Sequence, residues 1–263
     1  MSNRTRALVT GATGAIGEAI AKGLASDGER EVVLVARNRE KAVGAVQNIQ
    51  HETGNPHVRF ELADLSLGDS IYNLAAHLDG PLHILVNNAA ITPRRREESP
   101  EGVELQFATN VLGYFRMIRA FTPHLVAAKG AQVVNVASYW AGGLDLDDLE
   151  FQQRHYNNNT AYRQSKQADR MLSTAFAERL AERQVFVNAC HPGDVNSTLS
   201  NNLGFGGHQN PEEGADTPVW LATGSTGTET TGHYFENRRA VPCGFCNNHN
   251  AMVRLFTACE AYG

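Results

Sequence analysis

The chain has 263 residues, of which 42% are hydrophobic and 19% are charged, a composition that excludes a disordered or fibrous protein. Its length is near the upper limit for one hydrophobic core, so we expect one large domain. The formal net charge of −5 at pH 7 argues against a nucleic-acid-binding face and against nucleic acid as a partner.

Short apolar runs that are typical of strands alternate with longer segments of helical periodicity. The predicted strands are Arg6–Thr10, Glu31–Ala36, His57–Leu62, His83–Asn87, Gln132–Ala137 and Val185–His191. The predicted helices are Ala15–Asp27, Glu40–Glu52, Ser70–His77, Gly102–Ala128 and Ala161–Arg183. Strands that alternate with helices form parallel sheets covered on both faces. The pattern predicts an α/β fold with a doubly wound parallel sheet, a Rossmann fold, in a single domain.

Three long irregular stretches follow predicted strands, namely Ile91–Pro100, Tyr139–Thr160 and Asp194–Pro211. Loops of this length commonly form lids or the walls of substrate sites. We expect the Rossmann-fold domain to comprise residues 1–237. The remaining residues, 238–263, have no clear pattern, and we expect them to form a C-terminal tail packed on the same domain.

A glycine-rich turn, residues 10–17, joins the first strand to the first helix. Glycines at this point allow a tight turn and the close approach of a pyrophosphate, to which the helix N-terminus presents amide donors. We therefore expect Gly11, Thr13, Ala15, Ile16 and Gly17 to contact a dinucleotide. Glycines also serve ordinary turns, so this motif alone is weak evidence.

The second predicted strand ends in Ala36 and Arg37, where a site for NAD would present an acidic residue to the ribose hydroxyl. A guanidinium instead suits a 2′-phosphate, which it can bind through two charge-assisted hydrogen bonds. Arg37 therefore favours NADP(H) as the cofactor. The alternative is that Arg37, Arg39 and Lys41 form the solvated start of a helix.

Tyr162 and Lys166 are four residues apart and lie on one face of a predicted helix. A neighbouring ammonium favours the phenolate, so we expect Lys166 to lower the pKa of Tyr162 towards the working pH of a general acid or base. Ser138 ends the fifth predicted strand, where its hydroxyl can bind a substrate carbonyl. Each feature also has an ordinary explanation, a solvated helix for the pair and a turn cap for the serine.

In order, these motifs resemble those of the short-chain dehydrogenase/reductase superfamily, in particular its classical branch. Residues 6–236 carry the resemblance, which also includes the segments 87–90 and 192–193. It implies a catalytic tetrad of Asn110, Ser138, Tyr162 and Lys166. Asn110 would lie in the long fourth helix and hold a water molecule in a proton relay to Lys166.

The same resemblance implies further cofactor contacts. Asp64 and Leu65 would contact adenine, although a helix cap equally explains Asp64. The other implied contacts are Asn87, Ala89, Tyr162, Lys166, Pro192, Gly193, Val195 and Ser197. The chain departs from the family pattern at Ala15 and Ala90, where glycine is usual, and at Ser197, where threonine is usual. Either Ser197 or Thr198 can bind the nicotinamide carboxamide.

The segments 101–107, 143–149 and 210–215 look like those of the retinol-dehydrogenase-like subgroup. This likeness implies hydride transfer between nicotinamide and a carbonyl or alcohol substrate, with a lipophilic ketone or aldehyde favoured. Tyr139, Trp140 and Phe151 can line the substrate pocket, or they can anchor the loop to the core. Two alternatives stay open, a cofactor-binding regulatory protein without turnover and a nucleotide-sugar epimerase or dehydratase.

Four cysteines are too few and too unevenly spaced for a disulfide framework, so we expect free thiols. The spacing of Cys243, Cys246 and His249 can hold zinc, but no fourth ligand is evident, and we predict no metal site. The apolar stretch near the first residue is too short for a signal-peptide core or a membrane span. We therefore expect a cytoplasmic protein without a membrane partner, which can form a homo-oligomer.

Overall fold

The computed structural model describes residues 4–224 and 230–263, and its strands combine into one sheet. The strands are β1 (Arg6–Thr10), β2 (Glu31–Ala36), β3 (Val58–Leu62), β4 (Ile84–Asn87), β5 (Ala131–Val136), β6 (Val185–Cys190), β7 (Tyr234–Glu236) and β8 (Arg239–Val241). Their order is β3-β2-β1-β4-β5-β6-β7-β8, and only β8 runs antiparallel to its neighbour. The predicted doubly wound parallel sheet is confirmed.

Helices cover both faces of this sheet. They are α1 (Ala15–Ala25), α2 (Arg39–Thr53), α3 (Gly68–Ala76), α4 (Gly113–Ala127), α5 (Asn158–Leu180), α6 (Thr198–Leu203), α7 (Pro211–Ala222) and α8 (His249–Glu260). The side chains of β1 and β2 are almost fully buried on both faces because a helical layer lies on each side. All carboxyl ends of the parallel strands therefore meet at one edge, where ligands of such folds bind.

The predicted helix Gly102–Ala128 begins later than expected. Residues Phe107–Leu112 form a π-helical segment, and the regular helix α4 follows it. The buried carboxylate of Glu104 accepts hydrogen bonds from the amides of Gln106 and Phe107, at 2.8 and 2.6 Å, and so caps the start of the segment. The preceding residues form an isolated bridge between Glu98 and Glu104 instead of helix.

The predicted irregular stretch Asp194–Pro211 contains the short helix α6. Ser197 and Ser200 exchange side-chain to backbone hydrogen bonds at its start, a capping box that stabilises the first turn. α7, which begins at Pro211, is likewise opened by a capping box. Each capping box is formed by two residues that are three apart in the chain, so the start of each helix has a local sequence signal.

The C-terminal residues belong to the same domain. The turn between β7 and β8 contains residue 237, so the expected boundary falls inside a hairpin. After β8 comes a short 3-10 helix, Gly244–Asn247, and then α8. The Phe256 ring packs edge-on against Phe115 and Phe176, with ring centres 5.0 Å away in each case. α8 thus completes the core against α4 and α5.

Among the described residues, no helix combines the length and the apolar character that a membrane span requires.

Candidate active site

The glycine-rich turn lies at the carboxyl edge of the sheet. Gly11 has a φ of +63°, a left-handed conformation that favours glycine. A Cβ atom on Gly17 would come within 2.3 Å of the Gly11 carbonyl oxygen, so only glycine fits there. α1 begins at Ala15, and the first amides of a helix have no partner within it. The turn therefore offers backbone donors to an anion.

A cavity of about 400 Å³, here called the glycine groove, runs along this edge. The structure brings together most of the predicted cofactor residues in its wall. These are Gly11, Thr13, Ala15, Ile16, Gly17, Arg37, Leu65, Ala89, Tyr162, Lys166, Pro192 and Ser197. Gly193 and Val195 line a neighbouring cavity, which Pro192 and Ser197 also reach.

The chemistry of the glycine groove fits a phosphorylated dinucleotide. Arg37 and Lys41 lie exposed on its wall directly after β2. No described residue of this wall is an aspartate or a glutamate. The hydroxyl of Thr109, also on the wall, is buried without a hydrogen-bond partner. The groove thus presents the backbone of the glycine-rich turn, the Thr109 hydroxyl and the positive charges of Arg37 and Lys41 to a ligand.

Two further predicted cofactor residues, Asp64 and Asn87, line neither cavity. The Asp64 carboxylate accepts hydrogen bonds from the amide and the hydroxyl of Ser66, at 2.9 and 2.7 Å, and so stabilises the turn before α3. Asn87 is fully buried and donates to Asn135 on the neighbouring strand at 2.9 Å. Asn88 lines the groove instead, because successive side chains of an extended segment point in opposite directions.

Ser138 and Tyr162 meet where the glycine groove opens into the second cavity. Ser138 follows β5, and Tyr162 lies in the second turn of α5. Both side chains are buried. The Ser138 hydroxyl faces the phenol and also accepts a hydrogen bond from the Trp140 amide at 3.1 Å. The fold therefore places two hydroxyl groups at one point between the two cavities.

The pKa of Tyr162 does not shift as predicted. Burial raises this pKa to about 12 and outweighs the lowering effect of the Ser138 hydroxyl. The expectation that Lys166 lowers it is wrong for this structure. The Lys166 ammonium lies 5.9 Å from the centre of the phenol ring and is bound to other groups. Tyr162 consequently keeps its proton at neutral pH.

The Lys166 ammonium is held in a buried ion pair. It donates to the Val136 carbonyl at 2.8 Å and to the Asp169 carboxylate at 2.9 Å. Burial lowers the pKa of Lys166, but the charges and hydrogen bonds of Asp169 and Tyr114 together more than compensate, and the net shift is upwards. Burial raises the pKa of Asp169 to about 6. Both groups are therefore charged at neutral pH.

Asn110 lies in the π-helical segment and not in the regular fourth helix. Its side-chain oxygen accepts from the Ile91 amide at 2.9 Å, and its nitrogen donates to the Ile91 carbonyl at 3.1 Å and to Ser165 at 3.3 Å. The side chain thus fastens the loop after β4 to α5. Its place in a proton relay stays a prediction.

The second cavity, of about 460 Å³, is here called the aromatic cavity. Trp140 contacts Phe205 edge-on, with ring centres 5.5 Å apart, and lies 6.4 Å from the Tyr162 ring. Tyr139 also lines the wall, together with Leu199, Leu203 and the neutral His191, whose pKa burial lowers to about 4. Phe151 is buried against Tyr156 and lies outside the wall, so of the two alternatives for this ring the structure has the one in which it anchors the loop.

Comparison with known proteins agrees with this arrangement. The family described as short chain dehydrogenase matches residues 5–205. The chain belongs to this family. Human retinol dehydrogenase 13 is 32% identical, over 95% of this chain and 81% of the human protein. Polyprenol dehydrogenase of Danio rerio is 33% identical, over 89% of this chain and 78% of that protein.

A solved structure gives the same result. The 3-oxoacyl (acyl-carrier-protein) reductase of Agrobacterium tumefaciens with NADP bound is 25% identical to this chain. It superposes with a TM-score of 0.71 over 88% of this chain and 92% of that one. This short-chain dehydrogenase is thus an oxidoreductase of the retinol-dehydrogenase-like subgroup, with a nicotinamide cofactor and a small-molecule substrate.

The four cysteines of the dehydrogenase are free, as predicted. Within the described ranges, no three metal-ligating side chains lie close enough together to hold an ion. Cys243 and Cys246 are nevertheless adjacent, with their sulfur atoms 2.7 Å apart, whereas His249 is exposed.

Sequence reasoning missed several residues of the dehydrogenase site. Asn88 and Thr109 have no local signal, because only the tertiary structure decides which neighbours face the groove. Lys41 lies in the first turn of α2, four residues after Arg37, so the same basic cluster points to it. Asp169 follows Lys166 by three residues, a spacing that places both on one helix face.

Proposed function

We propose that this short-chain dehydrogenase reduces a lipophilic ketone or aldehyde with NADPH. The observation that carries the proposal is the meeting of Tyr162 and Ser138 between the glycine groove and the aromatic cavity. A carbonyl at this junction would have the cofactor on one side and a protonated phenol on the other. A cytoplasmic location and self-association are further predictions from the sequence.

The choice of NADP(H) rests on the charges of the glycine groove. Arg37 and Lys41 can both reach a 2′-phosphate, and the described wall has no carboxylate to repel it. The amides of the turn around Gly11 would hold the pyrophosphate. Bound nicotinamide supplies the hydride in such a reaction. Thr198, rather than Ser197, is free to bind the carboxamide, because the Ser197 hydroxyl caps α6.

The protein side chains would stabilise the negative charge that forms on the carbonyl oxygen and supply the proton that neutralises it. Ser138 and Tyr162 donate hydrogen bonds to the carbonyl oxygen, and Tyr162 gives its proton to the forming alkoxide. The Lys166 ammonium lies 5.9 Å from the centre of the phenol ring, and its place on the groove wall suits it to hold the bound cofactor. Asp169 acts as a positioning residue, since its carboxylate holds that ammonium at 2.9 Å. The raised pKa of Tyr162 favours the reductive direction, which needs the protonated phenol.

The aromatic cavity supports a lipophilic substrate. Its wall combines the Trp140 and Phe205 rings with aliphatic side chains from α6. Such a surface gains free energy from apolar burial and from ring contacts when an apolar substrate covers it. The names of the retinol and polyprenol dehydrogenases among its relatives point to the same substrate class.

Titration with NADPH and NADH tests the cofactor. We expect wild type to bind NADPH more tightly, and Arg37→Ala to weaken NADPH binding about 10- to 100-fold, the worth of a charge-assisted contact. NADH binding should be unchanged. Arg39→Ala is the matched control, because Arg39 lies over the Phe60 ring and outside the groove wall. Equal affinity of wild type for both cofactors would contradict the NADP assignment.

A panel of carbonyl compounds then tests the reaction. NADPH oxidation with long apolar aldehydes or cyclic ketones, and none with nucleotide sugars, is the expected result. Tight cofactor binding without turnover of any carbonyl would favour the regulatory alternative. Conversion of a nucleotide sugar with no net cofactor oxidation would favour the epimerase or dehydratase alternative.

A further inference from the structure

Two cysteines lie together outside the active site. Cys243 follows β8, and Cys246 lies in the 3-10 helix one turn later. The Cys246 amide donates to the Cys243 carbonyl at 3.0 Å, which closes the turn and brings the sulfur atoms to 2.7 Å. A disulfide bond has a length of about 2.05 Å, so bond formation needs only a small movement.

The groups around the pair shift the pKa values of the two thiols in opposite directions. The Arg170 guanidinium lies 3.4 Å from the centre of the Tyr234 ring and interacts with the Cys243 thiol. The hydrogen bond from Cys246 and the charge of Arg170 lower the pKa of Cys243 to about 6. The same hydrogen bond raises the pKa of Cys246. Cys243 is therefore the thiolate and Cys246 is the proton donor to it.

Access separates this pair from the other two cysteines. Cys243 and Cys246 are half-buried, whereas Cys190 and Cys259 have no exposed surface. A reactive cysteine combines thiolate character with access from solvent, and a buried one in apolar surroundings is inert. Among these four residues, only Cys243 meets both conditions, and Cys246 lies next to it as the second thiol.

We propose that Cys243 and Cys246 form a reversible dithiol–disulfide site that exchanges with low-molecular-weight disulfides such as oxidised glutathione. The Cys243 thiolate attacks one sulfur of the disulfide, forms a mixed disulfide and releases one thiolate. The Cys246 thiol then loses its proton, attacks the Cys243 sulfur and releases the second thiolate. The protein dithiol is oxidised by two electrons, and the small disulfide is reduced to two thiols.

The side chain of Arg170 connects the cysteine pair to the active site. Arg170 lies one helical turn after Lys166 on α5, and its guanidinium also donates to the Ser138 carbonyl. Oxidation removes the thiolate that faces this guanidinium. We therefore expect the carbonyl reductase activity of the oxidised protein to differ from that of the reduced protein.

Equilibration of the intact dehydrogenase in mixtures of reduced and oxidised glutathione tests the site. Thiols are then blocked with iodoacetamide, and peptides are identified by mass spectrometry. We expect wild type to form the Cys243–Cys246 disulfide while Cys190 and Cys259 stay reduced. Cys246→Ser should stop at a glutathione adduct on Cys243, and Cys243→Ser should form adducts at least tenfold more slowly.

Two results would overturn the proposal. One is a wild-type pair that stays reduced in excess oxidised glutathione, and the other is equal reactivity of the two serine variants. The alkylation rate of native wild type gives a test that needs no variant. Its half-maximum at Cys243 should lie near pH 6, and a value near pH 8.5, the ordinary pKa of a thiol, would contradict the assignment of Cys243 as nucleophile.

Comparison of kcat for the oxidised and reduced wild type tests the connection to Ser138. A difference that disappears in Cys243→Ser supports the connection, and identical values contradict it. Failure of the proposed carbonyl reduction would leave the peptide results intact, because they do not depend on turnover.

Discussion

The glycine groove and the aromatic cavity share one edge of the sheet but are built differently. The groove is formed by strand ends and by the backbone of the turn at Gly11, where a Cβ has almost no room at Gly17. The aromatic cavity is formed by side chains from the long segments after β5 and β6. The difference indicates a rigid, sequence-encoded part for the cofactor and an adjustable part for the substrate.

Tyr162 stands at the junction of both cavities, so its removal has the largest expected effect. We expect Tyr162→Phe to lower kcat for carbonyl reduction about 10²- to 10⁴-fold, the usual contribution of a general acid, with NADPH affinity unchanged. Steady-state kinetics and cofactor titration measure the two quantities. Tyr72→Phe is the control, because Tyr72 is exposed and lines neither cavity. Loss of cofactor binding together with turnover would contradict the separate roles of the cavities.

A substitution in the glycine-rich turn tests whether the glycine groove is rigid. In Gly17→Ala the new Cβ would meet the Gly11 carbonyl at 2.3 Å and the Asn88 amide at 2.5 Å. We expect loss of measurable cofactor binding and destabilisation by about 1–3 kcal/mol, as for other overpacked sites. Calorimetry and thermal unfolding measure these effects.

Gly44→Ala is the matched control for that change. Gly44 lies in α2 with open space around its Cβ position, so alanine should stabilise the helix by up to about 1 kcal/mol. If Gly17→Ala bound cofactor like wild type, the groove would be less rigid than the structure indicates.

The pH dependence of the two reaction directions tests the protonation state of Tyr162 at the junction of the two cavities. Since burial raises the Tyr162 pKa to about 12, the phenol is protonated throughout the range from pH 6 to 9. Carbonyl reduction should therefore be independent of pH between pH 7 and 9, above the pKa values of about 6 of Asp169 and Cys243. Alcohol oxidation needs the phenolate, so its rate should rise about tenfold per pH unit. A plateau of the oxidation rate near pH 7 would mean that the bound cofactor lowers this pKa towards neutrality.

The smallest expected effect concerns the adjustable wall. We expect Trp140→Ala to raise KM for a bulky apolar substrate about 2- to 12-fold, which corresponds to the loss of one aromatic contact of about 0.5–1.5 kcal/mol. KM for a short aldehyde and the affinity for NADPH should not change. Phe151→Leu is the comparison variant, since Phe151 anchors the same loop without lining the cavity. Equal effects on short and bulky substrates would contradict a substrate wall.

Much of the fold was predictable, because strand and helix periodicity reports the burial of each face. The first six strands and the parallel order follow from it. The hairpin of β7 and β8 was not predictable, since strands of three residues are too short for a periodic signal. The start of α4 was also missed, because helix propensities do not record the cap that the buried Glu104 carboxylate supplies to the π-helical segment before α4.

The site was predictable in identity but not in detail. Local motifs pointed to the turn, to Arg37 and to the pair of Tyr162 and Lys166. They could not decide whether Asn87 or Asn88 faces the groove, because that depends on where the strand ends relative to its neighbours. The spacing of Lys166 and Asp169 points to their pairing, but it could not reveal that the pair is buried with its ammonium 5.9 Å from the phenol ring.

The sequence by itself therefore determined the fold class, the family and the chemical types at the site, because these depend on patterns over a few neighbouring residues. Only the tertiary structure decided the protonation of Tyr162, the shape of the aromatic cavity and the pairing of Cys243 with Arg170. Each of these depends on burial and on groups far apart in the chain, and a pKa or a cavity exists only once those groups have been brought together.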